Sequence, residues 1–247
     1  MARKSLLPSA STLRRSHAVY MDWLWEYWGY SRWKGHSAGL IFWYGAAGAP
    51  IASGSADKFL VAVENGKLHQ IPSPKRKLWR SAVAVVADIR RATGMELVPW
   101  VAQARAELAW KRLQKVYLIG PKIASWILRD ISLLMDHCVD ASPSRFSYDY
   151  KKRNASWFHG LSLDCQKYFI PIDRWVFRGA KKAGSLSTRS IRGGFRGVQA
   201  NHTRYLDASH EIATFCQTKG LDPRDLDTYW FAQGSGWIDE KGYELEE

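Results

Sequence analysis

The sequence predicts a mostly α-helical protein, and three observations carry that reading. Ile123, Ile127, Ile131 and Leu134 recur at three- and four-residue steps, as do Tyr20, Trp23, Tyr27 and Tyr30, and Val83, Val86 and Ile89. That spacing puts each set on one face of a helix. Helix punctuation falls between the runs: Gly94 closes one, and Gly120-Pro121 closes another and opens the next, because proline's fixed φ suits a first helical position. At 247 residues the chain is long enough to bury a core as one domain or two closely packed lobes.

Taken in order, Met1-Ala2-Arg3-Lys4 is basic but lacks the apolar run of a secretory signal, so a cytoplasmic protein with a basic N-terminal arm is expected. Residues 12–33 form an aromatic amphipathic helix whose rings either fill the core or line a pocket. Composition changes over 35–70. Gly39-Leu40-Ile41-Phe42-Trp43-Tyr44 and Lys58-Phe59-Leu60-Val61-Ala62-Val63 read as short strands and Asn65-Gly66 as a turn, a small β excursion near 39–70. Residues 72–80 are a basic approach to a helix ending near Ala92, with Val83, Val86 and Ile89 inward and Arg80, Arg90 and Arg91 outward. A helix from about Pro99 to Gln114 turns Trp100, Ala104, Leu108 and Leu113 inward.

Residues 115–120 then make a tight turn, and a new helix begins at Pro121 or Lys122, held from one side by Ile123, Ile127, Ile131 and Leu134. Its unpaired N–H groups and the positive end of its dipole offer a seat for a phosphate. From about 139 to 167 basic residues alternate with aromatics, among them Arg145, Tyr148, Tyr150, Lys151, Trp157 and Phe158. That mixture suits either a nucleic-acid-tracking loop or a surface extension anchored by its rings. Ile170-Pro171-Ile172-Asp173 precedes a helix to about Ala183. Residues 184–197, with Arg189, Arg192 and Arg196, read as a mobile loop or a backbone approach to phosphate. A helix at about 203–218 buries Leu206, Ile212 and Phe215, and a closing helix starts at Pro223.

Gly120-Pro121-Lys122-Ile123-Ala124 opening an apolar helix, followed by Ile170-Pro171-Ile172-Asp173-Arg174-Trp175-Val176, resembles the helix-hairpin-helix plus Gly/Pro…Asp signature of the DNA glycosylase superfamily that includes endonuclease III and the 8-oxoguanine glycosylases. The resemblance implies two helical lobes with a cleft, a hairpin at about 110–136, an insertion at about 139–167 and a catalytic segment at 168–183. It places a Schiff-base nucleophile on Lys122 and the essential carboxylate on Asp173. DNA contacts would fall on Leu118, Gly120, Lys115, Arg174 and Arg178, and base-pocket positions on Trp23, Asp227 and Trp230. Leu118 stands where the family's hairpin has its first glycine, and Lys122 and Asp173 lie 51 residues apart, a longer separation than the family's short linker.

The implied partner is double-stranded DNA with one base extruded, acted on by a monomer. A formal net charge of +13 agrees with a polyanionic partner, nucleic acid ahead of an anionic membrane. Cys138, Cys165 and Cys216 are too few for the four-cysteine cluster of some superfamily members, and the seven histidines show no paired metal-ligand spacing, so no cofactor or metal is expected. Two alternatives stay open: a monofunctional glycosylase that uses water, on damaged bases or on hypermodified bases of phage DNA, and a non-catalytic DNA-binding protein. Without the resemblance, Asp173 reads as a helix N-cap and Lys122 as an exposed first-turn lysine.

Overall fold

A computed structural model describes residues 7–28, 37–48, 61–62, 65–137 and 157–245. It is mostly helical. In chain order the helices are α1 (Ala10–Trp28), α2 (Ser37–Gly48), α3 (Ser73–Thr93), α4 (Leu97–Gln103), α5 (Ala106–Leu113), α6 (Pro121–His137), α7 (Leu163–Gln166), α8 (Arg174–Ala183), α9 (Thr188–Ile191), α10 (Gly194–Gln199), α11 (His202–Lys219) and α12 (Pro223–Gly234). Short 3-10 turns stand at Leu68–Gln70, Trp157–Gly160 and Lys167–Phe169. An isolated antiparallel bridge between Ile238 and Glu244 is the nearest thing to a sheet among the described residues.

The expected strand at 39–44 is a helix. Leu40, Ile41, Phe42, Trp43 and Tyr44 are all buried in α2, and a helix buried on every side shows no amphipathic period, so the apolar run alone could not separate it from a buried strand. Gly45 has a packing reason: a Cβ there would lie 2.8 Å from the Leu78 side chain of α3, so α2 and α3 touch almost backbone to side chain. Of the second expected strand only Val61 and Ala62 are described, and they are helical; the rest lies outside the described residues. Asn65-Gly66 does turn, with Gly66 at φ +68°.

Other elements shift in detail. The basic approach at 72–80 is already helix, because Pro74 sits in the first turn of α3, where a missing N–H costs nothing. Val83 points outward while Val85, Val86 and Ile89 are buried. The single helix expected at 99–114 is two, broken at Ala104 and Arg105, which take extended conformations. That break rotates Leu108 to the surface, 48 % exposed, and leaves Ala109, Trp110 and Leu113 inside.

Helix α6 is the centre of the molecule, in contact with α2, α4, α5 and the turns at Trp157–Gly160 and Lys167–Phe169. It is not held from one side only. Besides Ile123, Ile127 and Ile131, its Ala124, Ser125, Leu128, Arg129, Asp130, Ser132 and Leu133 are buried. The side chain of Leu134 lies outside the described residues. So many buried polar groups need partners inside the protein. At one end Arg224 of α12 supplies them: its guanidinium donates to Ser132 (3.0 Å), Asp136 (2.6 Å) and Asp222 (2.8 Å) and lies 4.0 Å from the Phe158 ring. Phe158 also meets Phe169 edge-on at 5.5 Å, so residues 157–169 are anchored by their rings to the body. The rest of the expected insertion, 139–156, lies outside the described residues.

Helices α8 and α12 interlock through two glycines. A Cβ on Gly179 would strike the Trp230 ring at 2.3 Å, and one on Gly234 would strike Trp175 at 2.5 Å. Each helix thus lays a tryptophan across the other's glycine. The stretch 184–197 is not a mobile loop: Ser187 accepts the Ser190 amide to start α9, and Gly193, at φ +83°, starts α10.

Candidate functional site

The turn between α5 and α6 is built by successive backbone bonds, Lys115 to Arg112, Val116 to Leu113 and Ile119 to Val116, with Val116 and Ile119 buried beneath it. It forces Leu118 to φ +68°, the one positive φ outside glycine among the described residues. This is the position where the resembled hairpin carries glycine. A leucine pays a steric penalty of about 1–2 kcal/mol there. Gly120 keeps an ordinary φ and a Cβ on it would meet nothing. Leu118→Gly is therefore expected to leave the urea midpoint close to wild type, lost packing offsetting relieved strain, whereas Leu118→Val is expected to cost about 1 kcal/mol or more because a branched Cβ fits that region worst. The reverse order of midpoints would show that the turn is not held in this conformation.

Asp173 is placed by the extended segment before α8. Ile170 and Ile172 are fully buried, the Ile172 amide donates to the Tyr205 hydroxyl (3.0 Å), and that hydroxyl donates to the Ile170 carbonyl (3.1 Å). Gln199 of α10 donates to the Ile172 carbonyl. Held this way, Asp173 does cap α8, accepting the amides of Trp175 (2.7 Å) and Val176 (2.8 Å). Both bonds fall on Oδ1, so capping does not consume Oδ2. Burial pushes the Asp173 carboxyl above the usual aspartate value, and the two amides and Lys122 pull against it.

One small, partly open pocket is lined by Lys122, Trp126, Arg129, Pro171, Asp173, Val176 and Phe231. The amine and the carboxylate, 51 residues apart in the chain, therefore share one cavity. Lys122, Trp126 and Arg129 stand four and three residues apart, which stacks them along one stripe of α6. Phe231 comes from α12, its ring 6.0 Å from that of Trp126. Burial pushes the Lys122 amine below the ordinary lysine value, and the Asp173 charge opposes this. Helical spacing from Lys122 is enough to place Trp126 and Arg129 beside it, whereas nothing local in the sequence marks Phe231.

Beneath the pocket lies a buried polar cluster. Arg129, 2 % exposed, donates to Asp130 Oδ1 (2.8 Å), to Asp227 Oδ1 and to the Tyr20 hydroxyl. Tyr20 and Tyr44 donate to Asp130, and Trp126 Nε1 donates to the Tyr20 hydroxyl at 3.1 Å, which ties a pocket wall to the cluster. Burial raises both tyrosines well above the ordinary value, so they remain donors. Burial also leaves Asp130 and Asp227 raised above the usual aspartate value, an effect that Arg129 opposes without cancelling. Burial works against the Arg129 charge as well, and Asp130 and Asp227 outweigh it.

The remaining sequence-derived positions lie elsewhere. Lys115 is exposed on the turn, and Arg174 and Arg178 are exposed at the start of α8 with their guanidinium carbons 4.6 and 5.1 Å from the Trp175 ring centre. Trp23, Asp227 and Trp230 do not line the pocket. Trp23 packs among Tyr20, Trp43 and Trp237, Asp227 lies below Arg129, and Trp230 covers Gly179. Trp126 and Phe231 supply the pocket's rings instead. No helix among the described residues is long and apolar enough to cross a membrane. Comparison of the chain with protein-family models, with curated proteins and with solved structures finds no match.

Proposed function

We propose that this protein is a DNA glycosylase that cleaves the N-glycosidic bond of a damaged or modified base, with the helix-hairpin-helix arrangement its sequence resembles. The observation that carries the reading is the convergence of Lys122 and Asp173 on one pocket with aromatic walls. An extruded nucleotide brings its base against the Trp126 and Phe231 rings that line the pocket and its sugar toward the two polar groups. Positive charge develops on the deoxyribose as the bond to the base stretches, and the Asp173 carboxylate stabilises it. The neutral Lys122 amine attacks C1′ and the base leaves with the bonding electron pair and takes up a proton; the attached amine then gives up one proton, the C1′–O4′ bond breaks as O4′ takes up a proton, and a protonated Schiff base forms between C1′ and the lysine nitrogen. A lowered Lys122 pKa favours this step because only the neutral amine is nucleophilic. The partner is duplex DNA, met in the cytoplasm by a monomer. In the second version water is the nucleophile and Lys122 holds a phosphate.

Borohydride reduction of the reacting complex tests this. Duplexes carrying oxidised, alkylated, mismatched or hypermodified bases are incubated with the protein and reductant. One of them is expected to give a covalent protein–DNA adduct that Lys122→Ala abolishes. Base release without an adduct would assign the attack to water. Duplex binding with neither product would leave a non-catalytic binding protein.

A further inference from the structure

From 174 to 206 the chain carries six arginines and two lysines and not one carboxylate. All eight cations, Arg174, Arg178, Lys181, Lys182, Arg189, Arg192, Arg196 and Arg204, are exposed, and none forms a salt bridge among the described residues. Ordinary solvated faces interleave both signs. The fold gathers these charges. Helices α8 and α10 meet through Phe177 and Phe195, rings 6.1 Å apart, and each phenylalanine is flanked at −3 and +1 by arginines: Arg174 and Arg178 on α8, and Arg192, in the link between α9 and α10, with Arg196 on α10. Arg204 of α11 joins them, its guanidinium 3.7 Å from where a Cβ of Gly193 would stand.

We infer that α8, α10 and α11 present a second nucleic-acid contact face, separate from the pocket, that grips the sugar–phosphate backbone of duplex DNA beside the extruded nucleotide. Three observations select this occupant. Arginine outnumbers lysine three to one, and its fork matches phosphate oxygens in pairs. The stretch exposes no large apolar side chain, so it lacks the wedge with which basic helices enter a membrane. Nor does it expose aromatic rings for unpaired bases to stack on, since Phe177 is buried and Trp175 and Phe195 are half-buried. The face is also coupled to the pocket: the Gln199 side chain of α10 bonds the carbonyl of Ile172, the residue before Asp173. Backbone held on the platform is thereby registered against the carboxylate. The identity of the polyanion rests on the glycosylase reading; the face itself does not.

The test uses the salt dependence of binding to an unmodified 30-base-pair duplex, measured by fluorescence anisotropy. Each phosphate neutralised contributes about 0.9 to the slope of log K against log salt. The variant Arg189→Gln/Arg192→Gln/Arg196→Gln/Arg204→Gln is expected to lower that slope by about 2 to 4 and to weaken binding about tenfold or more at moderate salt. The corresponding four-lysine variant keeps most of the slope, which separates charge from folding, and circular dichroism of both should match wild type. An unchanged slope in the glutamine variant overturns the proposal, as does equal loss in both variants. Tighter binding of wild type to vesicles of anionic phospholipid than to duplex, or to a single strand than to duplex, also overturns it. Because no turnover is involved, a lowered slope with no borohydride adduct on any substrate would retain the face and remove the glycosylase reading, and an adduct with an unchanged slope would do the opposite.

Discussion

Base release by Asp173→Asn is expected to fall about 10²- to 10³-fold while the protein stays as stable as wild type to within a few tenths of a kcal/mol. The two halves of that expectation separate two roles of one side chain. Asparagine caps a helix about as well as aspartate, so its oxygen can still receive the Trp175 and Val176 amides. What disappears is the negative charge in the pocket. The pH profile should change with it. Under the proposed chemistry, wild-type activity is expected to climb as Asp173 ionises, above the usual aspartate value because the group is buried, and again as Lys122 loses its proton below the usual lysine value. Asp173→Asn should lose the acid limb and keep the alkaline one. Release at the wild-type rate, or a melting temperature that falls together with activity, would return Asp173 to a purely structural cap.

Replacing Arg129 with methionine is expected to cost about 3–5 kcal/mol of stability near neutral pH, which for a chain of this size lowers the melting temperature by roughly 6–20 °C. The guanidinium is the cation shared by Asp130 and Asp227, and without it two wholly buried carboxylates face each other uncompensated. Their folded-state pKa values are already raised by burial, and removing Arg129 raises them further. A carboxyl whose folded pKa is raised contributes stability that is present at low pH and lost as pH rises through the folded value. The deficit of Arg129→Met should therefore be smaller at pH 5 than at pH 8 in urea unfolding. Equal deficits at the two pH values, or a cost below about 1 kcal/mol, would mean that the cluster is not organised around this cation. Because Trp126 donates to Tyr20 in the same cluster, the substitution also loosens one wall of the pocket.

The helices that repeat apolar residues at three- and four-residue steps were legible, as were their ends. Gly94 closes α3 in the left-handed conformation and Asp173 caps α8, as their local sequence implies; in the structure Gly184 and Gly220, and Asn201 and Asp222, take the same parts at other helix ends, because these effects act within one turn of chain. Helix α2 was not legible. Burial on all sides erases the period, and only its neighbours α3 and α6 decide that the run coils. The break between α4 and α5 escaped for a similar reason, since Ala104 is a residue that favours helix and nothing local forbids it there.

The two polar residues of the candidate site came from short motifs, Gly120-Pro121-Lys122 and Pro171-Ile172-Asp173. Their shared cavity with Trp126 and Phe231 came from the fold. Likewise the run of cations from 174 to 206 is plain in the sequence, while the contact of Phe177 with Phe195 that brings its arginines together is not. The chain alone determined its helical class, its positive charge and the amine and acid worth asking about. Tertiary packing decided which side of each helix meets water and which distant residues meet each other. Periodicity and capping are local interactions that a sequence window contains, whereas a pocket is a property of surfaces that only become neighbours when α6, α8 and α12 close on one core.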